Sequence, residues 1–355
     1  MKTQNLGKLK VGIAFSGQGS QYPQMGKELY DTFQEARDIF NQDERIKNWC
    51  FCASEEKLRQ TNITQPCVFT VSMAAYEVLK HQINDSNLQE SIEIVGYAGF
   101  SLGEYAALTA AKAIDNISTG QILLEERGRL MDLAGRDEKG CEQGGMVALA
   151  ANETKTKILI EKVCSLEKLT ENHILEAVNF NGLRQTIVAG DLDSLSKFME
   201  IASKEKVRVK KLKVGSAFHS SMMYSAIPKF QRILSKTEFH QPEKRVYCNI
   251  TGRDFLEGYN PSIENFSKYA SNRLAKQIGK PVQWMRTMDE MTRDGMNVFI
   301  EVGPGQVLAK LMKKFDSSVQ VFHVEDVESL NDTIEGLGAL LPRECAKVSP
   351  AILSF

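Results

Sequence analysis

No stretch of this chain approaches the apolar length needed to span a bilayer, and the N-terminal MKTQNLGKLK has no apolar segment behind its lysines. A cytoplasmic protein without membrane contact is therefore expected. An excess of one charge is missing too. Lys and Arg total 44 against 45 Asp and Glu, a formal net charge of −1, which argues against a general nucleic-acid binder. The seven cysteines are scattered, and only Cys50 and Cys52 are close, a spacing that fits neither a zinc site nor a secreted disulfide framework. What is present is 355 residues with 42% apolar and 25% charged content. That suits a globular protein of one large or two ordinary domains.

The stretch Ile92 to Ala113 organises the rest. Apolar Ile92, Ile94, Val95 and Tyr97 lead into Gly99-Phe100-Ser101-Leu102-Gly103, and an Ala/Leu-rich helical segment follows. Strand, sharp turn and helix around G-x-S-x-G make a nucleophile elbow, in which two glycines leave room for a backbone that lifts the serine hydroxyl clear. Ser101 is the candidate nucleophile. The Leu102 amide faces the same point at the start of the helix, where developing negative charge is favoured. A glycine-bounded surface turn with a capping serine is the plainer alternative, and the flanking strand and helix count against it.

An earlier strand, Lys10 to Phe15, delivers the Gly-rich turn Ser16-Gly17-Gln18-Gly19-Ser20-Gln21. Neither G-x-x-x-x-G-K-[ST] nor G-x-G-x-x-G is present there, so the Gln18 amide reads better as an oxyanion donor than as part of a phosphate loop, with a plain strand-to-helix turn as the alternative. Thr64-Gln65-Pro66 is expected to open a helix running through Val68 to Leu79, with Thr64 as cap. Gln121 to Leu133 reads as a helix with Ile122, Leu123, Leu130 and Leu133 on its buried face, carrying Arg127 and Arg129. An arginine on such a helix is by itself most often a solvated charge.

The texture changes at Arg136 to Gly145. Beyond it the pattern predicts a strand (146–150), a helix (154–165), two strands (174–180, 185–189) joined by the turn pair Asn181-Gly182, a helix (194–202) and a strand (207–214). That order is a ferredoxin-like unit inserted in a larger α/β sheet with some parallel pairing. The division expected is 1–137 with 216–341 as a large catalytic subdomain, 138–215 as a small one, and 342–355 as a patternless tail. After the insert come Gly215 to Ser220, a helix (222–234), a strand (246–250), helices (272–278, 282–291), a strand (298–302), Gly303-Pro304-Gly305 with a helix to Met312, a strand (319–324) and a helix (329–341). Of five histidines, only His219 follows a turn where the chain rejoins the main sheet, and there it can face Ser101 as general base.

GQGSQ at 17–21, GFSLGEY at 99–105, ERGRLM at 126–131, AFHS at 217–220, KQIGKPVQW at 276–284 and EVGPGQVL at 301–308 occur in the order and approximate spacing of malonyl-CoA:acyl carrier protein transacylases. The chain resembles that family from about residue 11 to about residue 340. The resemblance implies an α/β-hydrolase-like core with a ferredoxin-like insert, and ping-pong malonyl transfer from malonyl-CoA to the phosphopantetheine thiol of acyl carrier protein. It implies that Ser101 is acylated, that His219 is its base, and that the Gln277 backbone carbonyl orients His219 in place of a triad aspartate. It further implies that Gln18 supplies an oxyanion amide beside Leu102, that Arg127 rather than Arg129 pairs with the malonyl carboxylate, and that Phe218 crowds the α-carbon in malonyl-selective members. No metal or redox cofactor is implied, coenzyme A and phosphopantetheine being substrates, and a monomer is expected.

Two positions depart from the family pattern. Phe100 stands where G-H-S-x-G has histidine, and Ser16 stands where proline is common; altered packing near the elbow is expected from both, without loss of chemistry. Fatty acid synthesis and a free-standing acyltransferase of a polyketide synthase both fit. A serine acyl hydrolase of the same fold is the alternative, as is a non-catalytic carrier-binding module, and a buried Arg127 would count against the hydrolase. Lys204, Lys206, Arg208, Lys210, Lys211 and Lys213 form a local basic run. Either it docks the acidic carrier protein, chiefly through Lys206, Arg208 and Lys210, or it is a solvated strand face with Val207 and Val209 turned inward.

Overall fold

Among the described residues eight short runs become strands: β1 (Leu9–Phe15), β2 (Ile92–Gly99), β3 (Gly144–Leu149), β4 (Leu175–Gly182), β5 (Gln185–Asp191), β6 (Val209–Lys211), β7 (Val298–Val302) and β8 (Gln320–Val324). They are seen in a computed structural model of the chain, which describes residues 8–166 and 173–341. Between them lie helices α1 (Lys27–Thr32), α2 (Gln34–Phe40), α3 (Glu44–Cys52), α4 (Thr61–Asp85), α5 (Gly103–Ala110), α6 (Ile117–Ala134), α7 (Glu153–Leu166), α8 (Leu192–Lys204), α9 (Ile227–Leu234), α10 (Phe266–Gln277), α11 (Trp284–Arg293), α12 (Val307–Phe315) and α13 (Val327–Ala339). The tail expected at 342–355 lies outside the described residues.

The strands sort into two sheets by the way their side chains are buried. β2-β1-β7-β8 pair in parallel, and the central β1 and β7 are buried on both faces because helices cover each side. β4-β5-β3-β6 pair antiparallel, in the strand order of a ferredoxin-like unit, with Phe198 and Leu159 from α8 and α7 packed beneath. The architecture is an α/β core with a small antiparallel subdomain.

Helices α4 and α6 meet closely, and two glycines permit it. A Cβ on Gly128 would lie 2.5 Å from Thr61 O, and one on Gly120 would enter the Phe69 ring. That approach carries the α6 residue Arg127 against Gln65 of α4. The inward face of α6 therefore runs through Gly120, Leu123, Leu124, Arg127, Gly128 and Met131, while Ile122 and Leu133 are exposed. An apolar-periodicity reading places Ile122 and Leu133 inside because it cannot anticipate glycine and arginine on the buried side.

Other local expectations shift as well. α4 begins at Thr61 after Gln60, so Thr64 is not the cap; its hydroxyl donates back to Gln60 O at 3.1 Å, and Pro66 sits inside the helix. The 222–234 helix is a 3-10 turn, Ser221–Ser225, followed by α9, because Pro228 has no N–H to continue the ladder. Residues 246–250 form no strand. Gly252, at φ 73°, turns the chain back at once, which leaves only the isolated bridges of Val246 to Tyr97 and of Tyr247 to Asp254. Gly182 pairs with Gln185, so the β4–β5 turn is Leu183-Arg184 and Asn181-Gly182 belongs to the strand. The ladder of β6 is confined to 209–211.

Candidate active site

The elbow is built by close packing of backbone. A Cβ on Gly99 would stand 1.9 Å from Gly103 O, and one on Gly103 would stand 2.4 Å from Phe15 O, so neither position has room for a side chain. Ser101, between them, is held at φ 55°, a left-handed conformation that a non-glycine residue adopts only when its surroundings impose it. Asn249 imposes it from one side. Its Nδ2 donates to Gly99 O at 2.7 Å, and its Oδ1 accepts from the Ser101 amide at 2.7 Å.

His219, also left-handed at φ 63°, reaches the serine from the turn that follows the small sheet. Its Nε2 lies 2.8 Å from Ser101 Oγ, while Nδ1 lies 3.1 Å from Gln277 O and 3.2 Å from Lys280 O. Carbonyl oxygens only accept, so Nδ1 carries the ring proton and Nε2 presents its lone pair to the serine hydroxyl. Burial, and next the Arg127 charge, push the His219 pKa down to about 4, which keeps the ring neutral at physiological pH.

Arg127 is fully buried, not solvated. Its Nη1 donates to Gln65 Oε1 at 2.8 Å, and its Nη2 donates to Gln277 Oε1 at 2.7 Å and to Ser101 Oγ at 3.1 Å. All three acceptors are neutral. Among the described residues no carboxylate forms an ion pair with it, and its Nε has no acceptor, so burial lowers the guanidinium pKa. Arg129, two residues on and so on the opposite face of α6, is exposed and paired with Glu126 at 2.7 Å. The site thus assembles Ser101, His219, Arg127 and Gln277.

Leu102 follows the serine directly, and Gln18 follows Gly17 in the loop against the elbow. A Cβ on Gly17 would lie 2.6 Å from Phe100 O, so the Gln18 loop rides directly on the elbow. Neither the Gln18 nor the Leu102 amide donates to a protein acceptor among the described residues. Phe218 is buried beside His219 in the main core, in the same apolar cluster as Leu102 and Met131. Phe100 packs edge-on to Trp284 at 5.5 Å, and Ser16 donates to Glu301 Oε1 at 3.2 Å, so both departures from the family pattern fill packing roles.

A cavity of about 520 Å³ opens between the elbow and the small sheet, lined by the Gln18 loop, Phe100, Asn179, Lys210, Lys211 and Lys213. Lys206, Arg208, Lys210, Lys211 and Lys213 are exposed, Val207 and Val209 pack inward, and Lys204 pairs with Glu200. His81, His173, His240 and His323 each sit beside a carboxylate away from the elbow. Sequence reasoning missed Gln65, Asn249 and Glu104. Gln65 and Asn249 carry no signal, lying in segments read only as helix and strand. Glu104 does carry one, being a carboxylate at the head of an otherwise apolar helix.

The family model described as acyl transferase domain matches residues 14–331. The polyketide biosynthesis malonyl CoA-acyl carrier protein transacylase of Bacillus subtilis is 31% identical over 315 residues, covering 87% of this chain and 98% of that protein. The crystal structure of a malonyl CoA-acyl carrier protein transacylase from Clostridium perfringens superposes with a TM-score of 0.79 at 32% identity, covering 92% of this chain and 97% of that one. A type II polyketide synthase acyl-carrier protein in complex with its malonyl-transacylase gives 0.79 at 26% identity, covering 92% and 99%. Among the described residues no helix is long and apolar enough to cross a membrane.

Proposed function

Because this chain belongs to the acyl transferase domain family, we propose that it moves a malonyl group from malonyl-CoA to the phosphopantetheine thiol of an acyl carrier protein through a malonyl-Ser101 ester. The observation that carries the reading is Arg127, a buried cation with only neutral acceptors, 3.1 Å from Ser101 Oγ. A desolvated guanidinium without an anion is costly, and a substrate carboxylate would supply that anion through two parallel hydrogen bonds. A hydrolase of neutral acyl groups has no use for such a residue.

Each step then follows from groups of the chain and two thiols. With its carboxylate on Arg127, malonyl-CoA presents the thioester carbonyl to Ser101. Oγ attacks as its proton passes to His219 Nε2, and the Gln18 and Leu102 amides hold the tetrahedral oxyanion. The C–S bond breaks, His219 returns the proton to the departing coenzyme A sulfur, and the acyl group stays on Oγ. The carrier thiol enters, gives its proton to His219 and reverses the sequence. The chain's basic β6 strand beside the cavity suits an acidic carrier protein. Intact-protein mass spectrometry after mixing with malonyl-CoA tests the ester: the unmodified chain should gain one malonyl mass and Ser101→Ala none. An equal adduct on both would remove Ser101 from the mechanism.

A further inference from the structure

Behind the elbow lies a carboxylate that the reaction as described does not use. Glu104 is buried at the head of α5, with Oε2 accepting from Gln277 Nε2 at 2.6 Å and Oε1 accepting from the Asn249 amide at 3.4 Å. Gln277 Nε2 also donates to Ser101 O at 2.8 Å. With both amide hydrogens committed to acceptors on that side, the Gln277 carbonyl Oε1 must face Arg127.

We propose that Glu104 is the positioning residue for the acid-binding guanidinium: its carboxylate fixes the Gln277 side-chain amide so that Oε1, not Nε2, meets Arg127. This rests on the assignment of Arg127 to the substrate carboxylate. A carboxylate is suited to the place because both of its oxygens accept. A glutamine at 104 has one acceptor for two donors, the Asn249 amide and Gln277 Nε2, so one buried donor would face another. If Gln277 turned over in response, its Nε2 would meet the Arg127 Nη2 donor and drive the guanidinium from its place.

Ionisation of Glu104 gives a second handle. The groups facing it are Arg273 of α10, Cys248 beside Asn249, Arg127 of α6 and its neighbour Tyr105. Burial outweighs the Gln277 bond and the Arg273 charge and pushes its pKa up to about 7. A proton there spoils one of the two acceptors in the range where His219 and the malonyl carboxylate do not titrate.

The test measures self-acylation by malonyl-CoA and by acetyl-CoA in the unmodified chain, Glu104→Gln, Arg127→Ala and the double variant. Glu104→Gln should lower the malonyl-to-acetyl rate ratio about ten- to hundredfold, acting mainly through KM, as expected when a buried donor is left facing a donor. In the Arg127→Ala background the same change should leave the ratio where it stands. An unchanged ratio in Glu104→Gln, or an equal further fall in the double variant, overturns the positioning role. Should Glu104→Gln not fold, the unmodified chain decides alone: KM for malonyl-CoA should rise as pH falls through about 7 while KM for acetyl-CoA stays level, and parallel profiles overturn it. Absence of any malonyl adduct on the unmodified chain is a separate result that defeats the malonyl reading itself.

Discussion

Ser101 Oγ stands between two groups that ask different things of it: His219 Nε2 accepts its proton at 2.8 Å and Arg127 Nη2 donates to it at 3.1 Å. In the free protein the guanidinium therefore rests on the nucleophile, and on the function proposed above an arriving carboxylate would take over that hydrogen bond. A substrate without a carboxylate leaves Arg127 where it is. Removing one partner of a buried charge pair costs roughly 2 to 5 kcal/mol, so Arg127→Ala should lower malonyl transfer tens- to thousands-fold. Acetyl transfer should lose little. Steady-state rates with the two thioesters check this, and equal losses would make Arg127 structural. Residue roles here are only partly legible from sequence. Ser101 announces itself by its glycines, whereas helical spacing alone does not separate Arg127 from Arg129; the family resemblance picks Arg127, and the packing of α4 against α6 buries it.

The elements matter through how near their backbones come. β1, the elbow and the first residues of α5 are in contact because Gly103 has no side chain to hold them apart, and Phe100 N donates to Phe15 O at 3.0 Å. Gly103→Ala forces a methyl into that carbonyl layer, where overpacking costs about 1–3 kcal/mol or more. It should lower the denaturant midpoint and abolish acylation together, and a variant with unchanged stability would show that the layer can spread. On the docking reading the basic run from Lys206 to Lys213, which includes β6, would act by its field. Reversing Lys206, Arg208 and Lys210 to Glu should slow transfer to an acidic carrier protein at low salt, and the deficit should shrink as salt rises, since the Debye length is about 10 Å at 0.1 M. A kcat/KM for the carrier with the same salt slope in both proteins would reduce the run to a solvated face.

At the scale of the whole molecule, buried His219 titrates in the opposite sense to buried Glu104 and Glu301. Burial and then Arg127 hold His219 down to about 4, so between that value and its ordinary one the unfolded chain binds a proton that the fold does not, and stability rises with pH there. Glu104 and Glu301 are each pushed up to about 7 by burial, so above the ordinary carboxylate value the fold binds protons that the unfolded chain has lost. Each contributes stability that falls as pH rises toward 7, and two such groups outweigh one. Their net effect is a decline in stability from about pH 5 to about pH 7, at roughly 1.4 kcal/mol per pH unit for each excess proton. Glu301 accepts from Ser16 and from the Ala309 amide at the head of α12. Glu301→Gln should flatten this decline, measured as Tm against pH, and an unaltered slope would mean that Glu301 ionises normally.

The amino-acid order alone determined whatever depends on neighbours in the chain: strand-turn-helix at Ser101, the βαββαβ order of the small sheet, and the positions of β1, β7 and β8. The same holds for the motif blocks that carry the family resemblance, because glycine spacing and apolar alternation are local physics. Tertiary structure decided what depends on distant segments meeting. It buried Arg127 by docking α6 on Thr61 and turned residues 246–250 back at Gly252 before they could pair as a strand. It also set Glu104, Gln65 and Asn249 around the serine from three separate parts of the chain. Those three are polar side chains whose value lies in which donor faces which acceptor, and that matching exists only once the backbones bearing them have packed.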